Sequence, residues 1–424
     1  MNPDLSSVTG VRQTLAVVLP VRFTAVADWP TGPIPFELGS RRTDAAARQT
    51  YFTPAAARAL YGTPEKPCRW HRFMDVRHES LHLRGIELLR TSTARCPDHG
   101  LAVLHFDVEG PALLETLRAI GGHHGPAGSD PLDGPLSPAL LLAGAAEPRD
   151  VDAPFATARP YTVALLTPGT QHTPALREDG RLPETADRWL WYLASRSTEA
   201  DFPTPLEQWA DRAGSALRIS ADWSALVLRH GAAFLGHRAD PGEGDFYDFA
   251  QLHTRTVYLD ALLLGSIQRS HIDELTDGLS GVFDGPKLAR RVTALERHIA
   301  TFRSTYWRQH LTAHGPANEL LLSFQTQHRL AERFDEILAE AADYARLVQT
   351  QESQQIAGAL GVLTILGLPV GTALSIVQVL DAKGATAVVV ALAAALAATA
   401  LALTTRYGRL VLSSLRGRDP GDGR

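Results

Sequence analysis

Cysteine is nearly missing from this 424-residue chain, with Cys68 and Cys96 the only two. Two thiols cannot staple a chain of this length, so a disulfide-built secreted scaffold is excluded. Lysine is almost as scarce: only Lys66, Lys287 and Lys383 occur among 41 basic residues. Arginine supplies the rest, and with abundant Ala, Gly and Pro this reads as a GC-rich bacterial coding sequence. Excess positive charge is also absent. The net charge of −5 argues against a nucleic-acid partner held by bulk electrostatics. The start, MNPDLSSVTGVRQTLAVVLP, carries Asp4 and lacks a basic opening, a clear apolar run and a small-residue cleavage site, so no signal peptide is expected.

Charge is missing altogether from Ile356 to Leu380 and again from Ala385 to Thr405, with only DAKG between the two runs. Each is long enough for a hydrocarbon core of about 30 Å, which takes roughly 20 helical residues. The expectation is a transmembrane hairpin of helices 356–380 and 385–405. Arginines lie on both sides of it: Arg329, Arg333 and Arg346 before, Arg406, Arg409, Arg416 and Arg418 after. Counting positive charge places both termini in the cytoplasm of an inner-membrane, multi-pass protein with a basic tail at 406–424. A hairpin buried in a globular core is the alternative, since the second run is rich in Ala.

The chain from Asn318 to Gln355 has no Pro or Gly, and Phe324, Ala331, Phe334, Leu338, Ala341, Ala345 and Val348 recur at helical steps. This predicts a stalk helix over 318–355, about 57 Å long at 1.5 Å per residue. Amphipathic helices are expected at 287–308 and 246–279, the latter with YLDALLLGSI as a buried segment, within a helical region 246–317. Residues 1–245 read as an α/β domain, α+β in overall class. Strands are expected at LAVLHFDVEG, at YTVALLTPG and within 216–238, and a helix at PALLETLRAI. A Gly- and Pro-rich stretch, 121–160, reads as a loop-rich insertion. Trp189, Trp191 and Tyr192 read as a helix packing face.

The order of an α/β domain, a helical region, a long helix, two apolar runs and a basic tail resembles the CorA family of divalent-cation channels. The local likeness centres on QQIAGALGVLTILGLPVGTALSIVQVL, with Leu363-Thr364-Ile365 and Leu368-Pro369. The resemblance implies an inner-membrane homo-oligomer, a pentamer, with a divalent cation as cargo or regulator and no nucleic-acid partner. The family's Gly-Met-Asn is absent, because methionine occurs only at Met1 and Met74. Its position falls near Gln378-Val379-Leu380, so altered selectivity is expected. Thr364, Gly371, Ser375 and Gln378 share one side of a helix and are the candidate pore lining; packing against neighbouring helices is the alternative. Asp335, Glu336, Glu340 and Asp343 resemble places where the family binds regulatory cations, or form a solvated helix face. The functional expectation is a channel or transporter, the alternative a membrane-anchored signalling or stress effector with a ligand-sensing domain.

Two patterns point to zinc. His78-Glu79-Ser80-Leu81-His82 matches H-E-x-x-H, but a working site needs a helix and a third ligand. Leu88 stands where that ligand would follow Gly85, and the alternation of SLHLRGIELL suits a strand or bulged strand better. No catalytic residue and no enzyme activity is therefore expected; a zinc-dependent enzyme is the third reading. The pairs Cys68/His71 and Cys96/His99, two C-x-x-H units, are a candidate structural zinc site. The alternative is that both cysteines are small buried residues.

Overall fold

The structure is a computed structural model. It describes residues 10–362 apart from 27, 39–40, 44, 92–95, 124–129, 150–159, 170–183, 204–214, 243 and 285–286, and scattered positions from there to 400.

Strand β1 (Gly10–Phe23) runs through the middle of a nine-stranded sheet. Its sequence LAVVLPV is apolar at consecutive positions because both faces of the sheet are covered. Two short hairpins lie outside the sheet, β2 (Phe36–Leu38) with β3 (Arg41–Thr43) and β4 (Gly62–Thr63) with β5 (Lys66–Pro67). On one side of β1 lies an antiparallel meander of β8 (His99–Val108), β7 (Leu81–Arg90) and β6 (Arg69–His78); β9 (Ala146–Pro148) pairs with the end of β1. On the other side β10 (Tyr161–Pro168) is antiparallel to β1 and parallel to β13 (Gly231–Gly236), followed by β12 (Trp223–Val227) and β11 (Leu217–Arg218). The strands expected within 216–238 thus form an antiparallel meander turning at His230-Gly231.

Helices cover both faces. Besides the short α1 (Ala45–Tyr51), α2 (Pro54–Tyr61) and α4 (Pro138–Leu141), helices α3 (Leu113–Ile120) and α5 (Glu184–Ser195) close an apolar core built on Leu15, Val17, Leu19, Leu104 and Phe106. α6 (Phe246–Arg255) packs against β1 and β10, and α7 (Val257–Ser280) follows after a break at Thr256. Tyr258 of α7 stacks on Phe234 of β13 with ring centroids 5.8 Å apart. Then come α8 (Leu288–Thr305), α9 (Gly315–Gln327) and α10 (Leu330–Val362). The helix expected to run unbroken from Asn318 is two helices. Arg329 takes a left-handed φ of 51° between them, while the His328 amide closes the first by donating to the carbonyls of Phe324 and Thr326.

α7 is fixed to the sheet by ions with no exposure at all. Asp260 accepts from Arg48 Nε at 3.0 Å, Arg48 Nη2 at 2.9 Å, Arg69 Nη1 at 2.6 Å and the Tyr61 hydroxyl at 2.6 Å. Glu87 of β7 accepts from Arg69 and Arg48, and from the Ile34 amide at 2.8 Å. Two guanidiniums and two carboxylates cancel, so the group is neutral and each carboxylate is multiply hydrogen-bonded. A buried ion set is tolerable on that condition. Burial pushes the Glu87 carboxyl up, but Arg69, Arg48 and His105 outweigh it and hold the group below the usual carboxylate range.

The membrane expectation is corrected. Among the described residues no helix is long and apolar enough to cross a membrane. The expected spans 356–380 and 385–405 lie largely outside the described residues. Of the first, the described part of α10 includes Ile356–Val362. The preceding turns of α10 carry Glu340, Asp343, Arg346 and Glu352, all exposed. The C-terminal transmembrane hairpin and the multi-pass inner-membrane location with both termini cytoplasmic therefore do not stand, nor does the description as a transmembrane protein.

The chain forms two compact units, Met1–Gly278 with Arg297–Ile337, and Leu279–Glu296 with Leu338–Arg424. The first holds the sheet together with His271, Glu274 and His298. In the second, Phe283 meets Tyr344 edge-on at 4.8 Å, and the Arg291 guanidinium donates to the carbonyls of Gly281 and Val282 at 3.3 Å.

Candidate metal centre

His271 and Glu274 are three residues apart on α7, a spacing that puts both on one face of a helix. His298 of α8 faces them. One nitrogen from each imidazole and one carboxylate oxygen lie within 4.8 Å of one another, and this is the one metal-capable group among the described residues. Ligands 2.0–2.1 Å from a tetrahedral zinc stand about 3.3 Å apart, so a modest side-chain adjustment closes the set. Glu274 and His298 are half-buried and His271 is buried.

Several contacts fix that ring. His271 is 2 % exposed. Its Nε2 lies 3.1 Å from the Thr91 carbonyl at the end of β7, and because a carbonyl only accepts, Nε2 carries the proton. Nδ1 is then the nitrogen with the lone pair, and it has no hydrogen-bond partner. Tyr306 stacks on the ring at 4.4 Å and Phe302 lies 5.4 Å away. A metal-binding histidine characteristically donates its second N–H to a carbonyl in this way, which sets the tautomer and aims the ligand atom. Burial, then the His298 ring, push the His271 imidazole down to about 4 against the pull of the Thr91 carbonyl, so it is neutral at physiological pH.

The turn from β7 to β8 borders this group. Within it the His99 amide donates to the Cys96 carbonyl at 3.2 Å and the Thr91 amide to the His99 carbonyl at 3.1 Å. Burial and then the Glu274 carboxylate raise the Cys96 thiol. His99 is lowered by burial and Arg149, with Glu274 opposing. One half of the expected zinc set, Cys96 and His99, thus sits beside the metal-capable group. The other half does not. His71 donates from Nδ1 to the Gly32 carbonyl at 2.9 Å, and Cys68 lies 3.7 Å from the Ala59 carbonyl, its thiol pushed up to about 12 by burial. Cys68, His71, Cys96 and His99 do not gather as ligands of one ion.

Sequence reasoning missed His271, Glu274 and His298. The signal was HIDE at 271–274, an H-x-x-E on a helix, with His298 on the next helix; the pattern carries meaning only once the two helices are known to pair.

The other candidates fall elsewhere. H-E-x-x-H forms a β-hairpin: His78 ends β6, Glu79 turns with φ 53° and His82 lies on β7, its Nε2 2.5 Å from the Asp75 carboxylate. β7 is bulged between Leu83 and Gly85, as its alternation and glycine predict. Thr364, Gly371, Ser375 and Gln378 are each exposed. The hydroxyls of Thr364 and Ser375 donate to the carbonyls four residues back, Leu360 and Gly371, at 2.8 Å. Their O–H donors are thus committed to their own backbone. Asp335, Glu336, Glu340 and Asp343 are not part of the metal-capable group.

The chain matches no family model, no curated protein and no solved structure. The resemblance to CorA channels therefore rests on the residues quoted for it alone.

Proposed function

We propose that this protein binds a transition-series dication of the zinc class through His271, Glu274 and His298, and that the ion is a structural or sensory element. The observation that carries the reading is the buried His271 ring, its Nε2 committed to the Thr91 carbonyl and its Nδ1 presented beside Glu274 and His298. Two imidazoles and one carboxylate favour zinc, cobalt, nickel or iron over magnesium and calcium, which prefer oxygen donors throughout. This departs from the magnesium chemistry that the resemblance implies. An ion here ties α7 to α8 and, through the Thr91 carbonyl, to the end of β7. It can therefore signal metal availability by changing how firmly these elements are joined. This is the ligand-sensing reading, carried without a membrane.

Metal-stripped full-length protein is dialysed against buffered zinc and its content measured alongside its thermal midpoint. One zinc per chain is expected, with stabilisation of about 2.7 kcal/mol at a free concentration one hundred times Kd. Magnesium at the same concentration should give neither effect. His271→Asn and His298→Asn should each weaken zinc binding at least a hundredfold. Equal binding by wild type and both variants refutes the assignment.

A further inference from the structure

A second locus in the sheet-bearing unit gathers positive charge without an equal share of negative charge. Arg269 of α7 and Arg333 at the start of α10 share one carboxylate, Asp273, at 3.8 Å and 2.6 Å. Arg229 and His230 form the turn between β12 and β13 and adjoin the start of β10, where the Thr162 amide meets the His230 carbonyl at 3.4 Å. Tyr161 opens β10. Its ring meets Phe324 of α9 edge-on at 5.4 Å, and Phe324 lies 4.4 Å from the ring of His328. Five elements thus meet, bringing three guanidiniums, two imidazoles and a phenol, with Asp273 the half-exposed acid that Arg269 and Arg333 share.

Two polar atoms here have no protein partner, Nε2 of His328, a side chain 6 % exposed, and the buried hydroxyl of Tyr161. Buried polar atoms are nearly always paired, so two together call for a cause. The charges point to one. Burial, then Arg269, Arg229, His230 and Arg333, hold the His328 imidazole down to about 3. The cations repel one another, and an anion is the complement they lack.

We propose that Arg229, Arg269, Arg333, His328 and Tyr161 form a binding site for a small phosphate-type dianion, either free phosphate or the phosphate group of a monoester. Guanidinium forks match the oxygens of such a group in pairs, and a phenol and a neutral imidazole N–H donate to the remaining oxygens. The His328 tautomer that carries hydrogen on Nε2 serves this purpose. The site is separate from the metal centre and does not depend on it.

The test is calorimetric titration of the full-length protein with inorganic phosphate and with phenyl phosphate at constant ionic strength. Saturable binding is expected, weakened at least tenfold in Arg269→Gln and in Arg229→Gln. Tyr161→Phe removes a hydroxyl that pairs with nothing in the protein, so its thermal midpoint should match wild type or exceed it. Its phosphate affinity should nevertheless fall on the order of tenfold, the worth of one hydrogen bond to a charged group. Tighter binding of phenyl phosphate identifies an organic ester as the ligand, and equal or weaker binding identifies the free ion. No saturable binding of either probe overturns the proposal, as does binding that all three variants leave unchanged.

Discussion

Asp260→Asn removes one negative charge from a site with no exposure and leaves almost every atom in place. Asp260 accepts four hydrogen bonds, three from Arg48 and Arg69 and one from Tyr61. In the variant, Arg48 and Arg69 face Glu87 alone, so the buried group carries a net charge of +1. An uncompensated buried charge of this kind costs about 3–5 kcal/mol. The amide also presents N–H donors where two guanidiniums already donate. With a urea slope of about 3 kcal/mol/M for a unit of this size, the unfolding midpoint should fall by roughly 1–1.7 M, read by tryptophan fluorescence. If charge imbalance causes the loss, restoring neutrality must recover part of it. Asp260→Asn combined with Arg69→Met restores neutrality, and it should be less destabilised than the two single changes summed, by at least about 2 kcal/mol. A single variant costing under about 1 kcal/mol, or strict additivity in the double, would refute the account.

Acid should act on the same layer. His105 is 1 % exposed and its ring nitrogens have no hydrogen-bond partner. Burial, reinforced by Arg255, Arg48 and Arg69 and opposed only by Glu87, lowers it to about 3. Its ordinary value is 6.5, so the stability it allows is complete above pH 6.5 and is lost as pH falls toward 3. His105→Leu should flatten the stability profile between pH 6 and pH 5 by about 1.4 kcal/mol per unit; an unchanged slope shows that the ring protonates without unfolding. Glu87, depressed in the fold, adds a second loss below about pH 4.5 that Glu87→Gln abolishes from the profile. Gly265→Ala should cost about 1–3 kcal/mol, because the new Cβ would stand 2.5 Å from the Phe324 ring; a midpoint equal to wild type in thermal melts would mean that ring gives way freely. Arg12→Met should lower thermal stability by several degrees, since it strands Asp240, 2.9 Å from Nε and 0 % exposed, together with Asp248. A melt unchanged by that substitution would show that the loop from Asp240 to Asp248 is held by other contacts.

What was readable from sequence was local. The alternation in ALRISADWSALVLRHGAAFLGHR is a property of neighbouring residues, and it became β11 to β13 with turns where they were expected. Gly85 marked a bulge in β7, and YLDALLLGSI lies inside the buried helix α7. What was not readable depends on partners far apart in the chain. Arg48, Arg69, Glu87 and Asp260 meet across separations of up to 212 residues, and nothing in their local sequence distinguishes them from surface charges. The expected set of Cys68, His71, Cys96 and His99 is a case of the same kind. Cys68 precedes β6 and Cys96 precedes β8, and they do not gather with His71 and His99 into one group, whereas His298 reaches His271 because two helices fold against each other. The membrane reading failed differently, because it took the length of an uncharged run as sufficient evidence of a span.

The two ends of α7 therefore play unlike parts. Asp260, near its start, is locked by charges that are all mutually satisfied and fully buried, so nothing from solvent can reach them. His271, eleven residues on and about 16 Å along the axis, has one nitrogen committed to Thr91 and the other open beside two half-buried ligands. An ion binding at the second place adds a cross-link without disturbing the first. Its effect should thus be confined to the latter half of α7, the facing part of α8 and the turn from Thr91 to His99. Amide exchange makes the distinction. Zinc should slow exchange around His271 and His298 while leaving the amides near Asp260 and Glu87 as slow as before, because those open only with the whole unit. Uniform slowing across the sheet would mean instead that the ion stabilises the fold as a single block, and the sensory role would lose its basis.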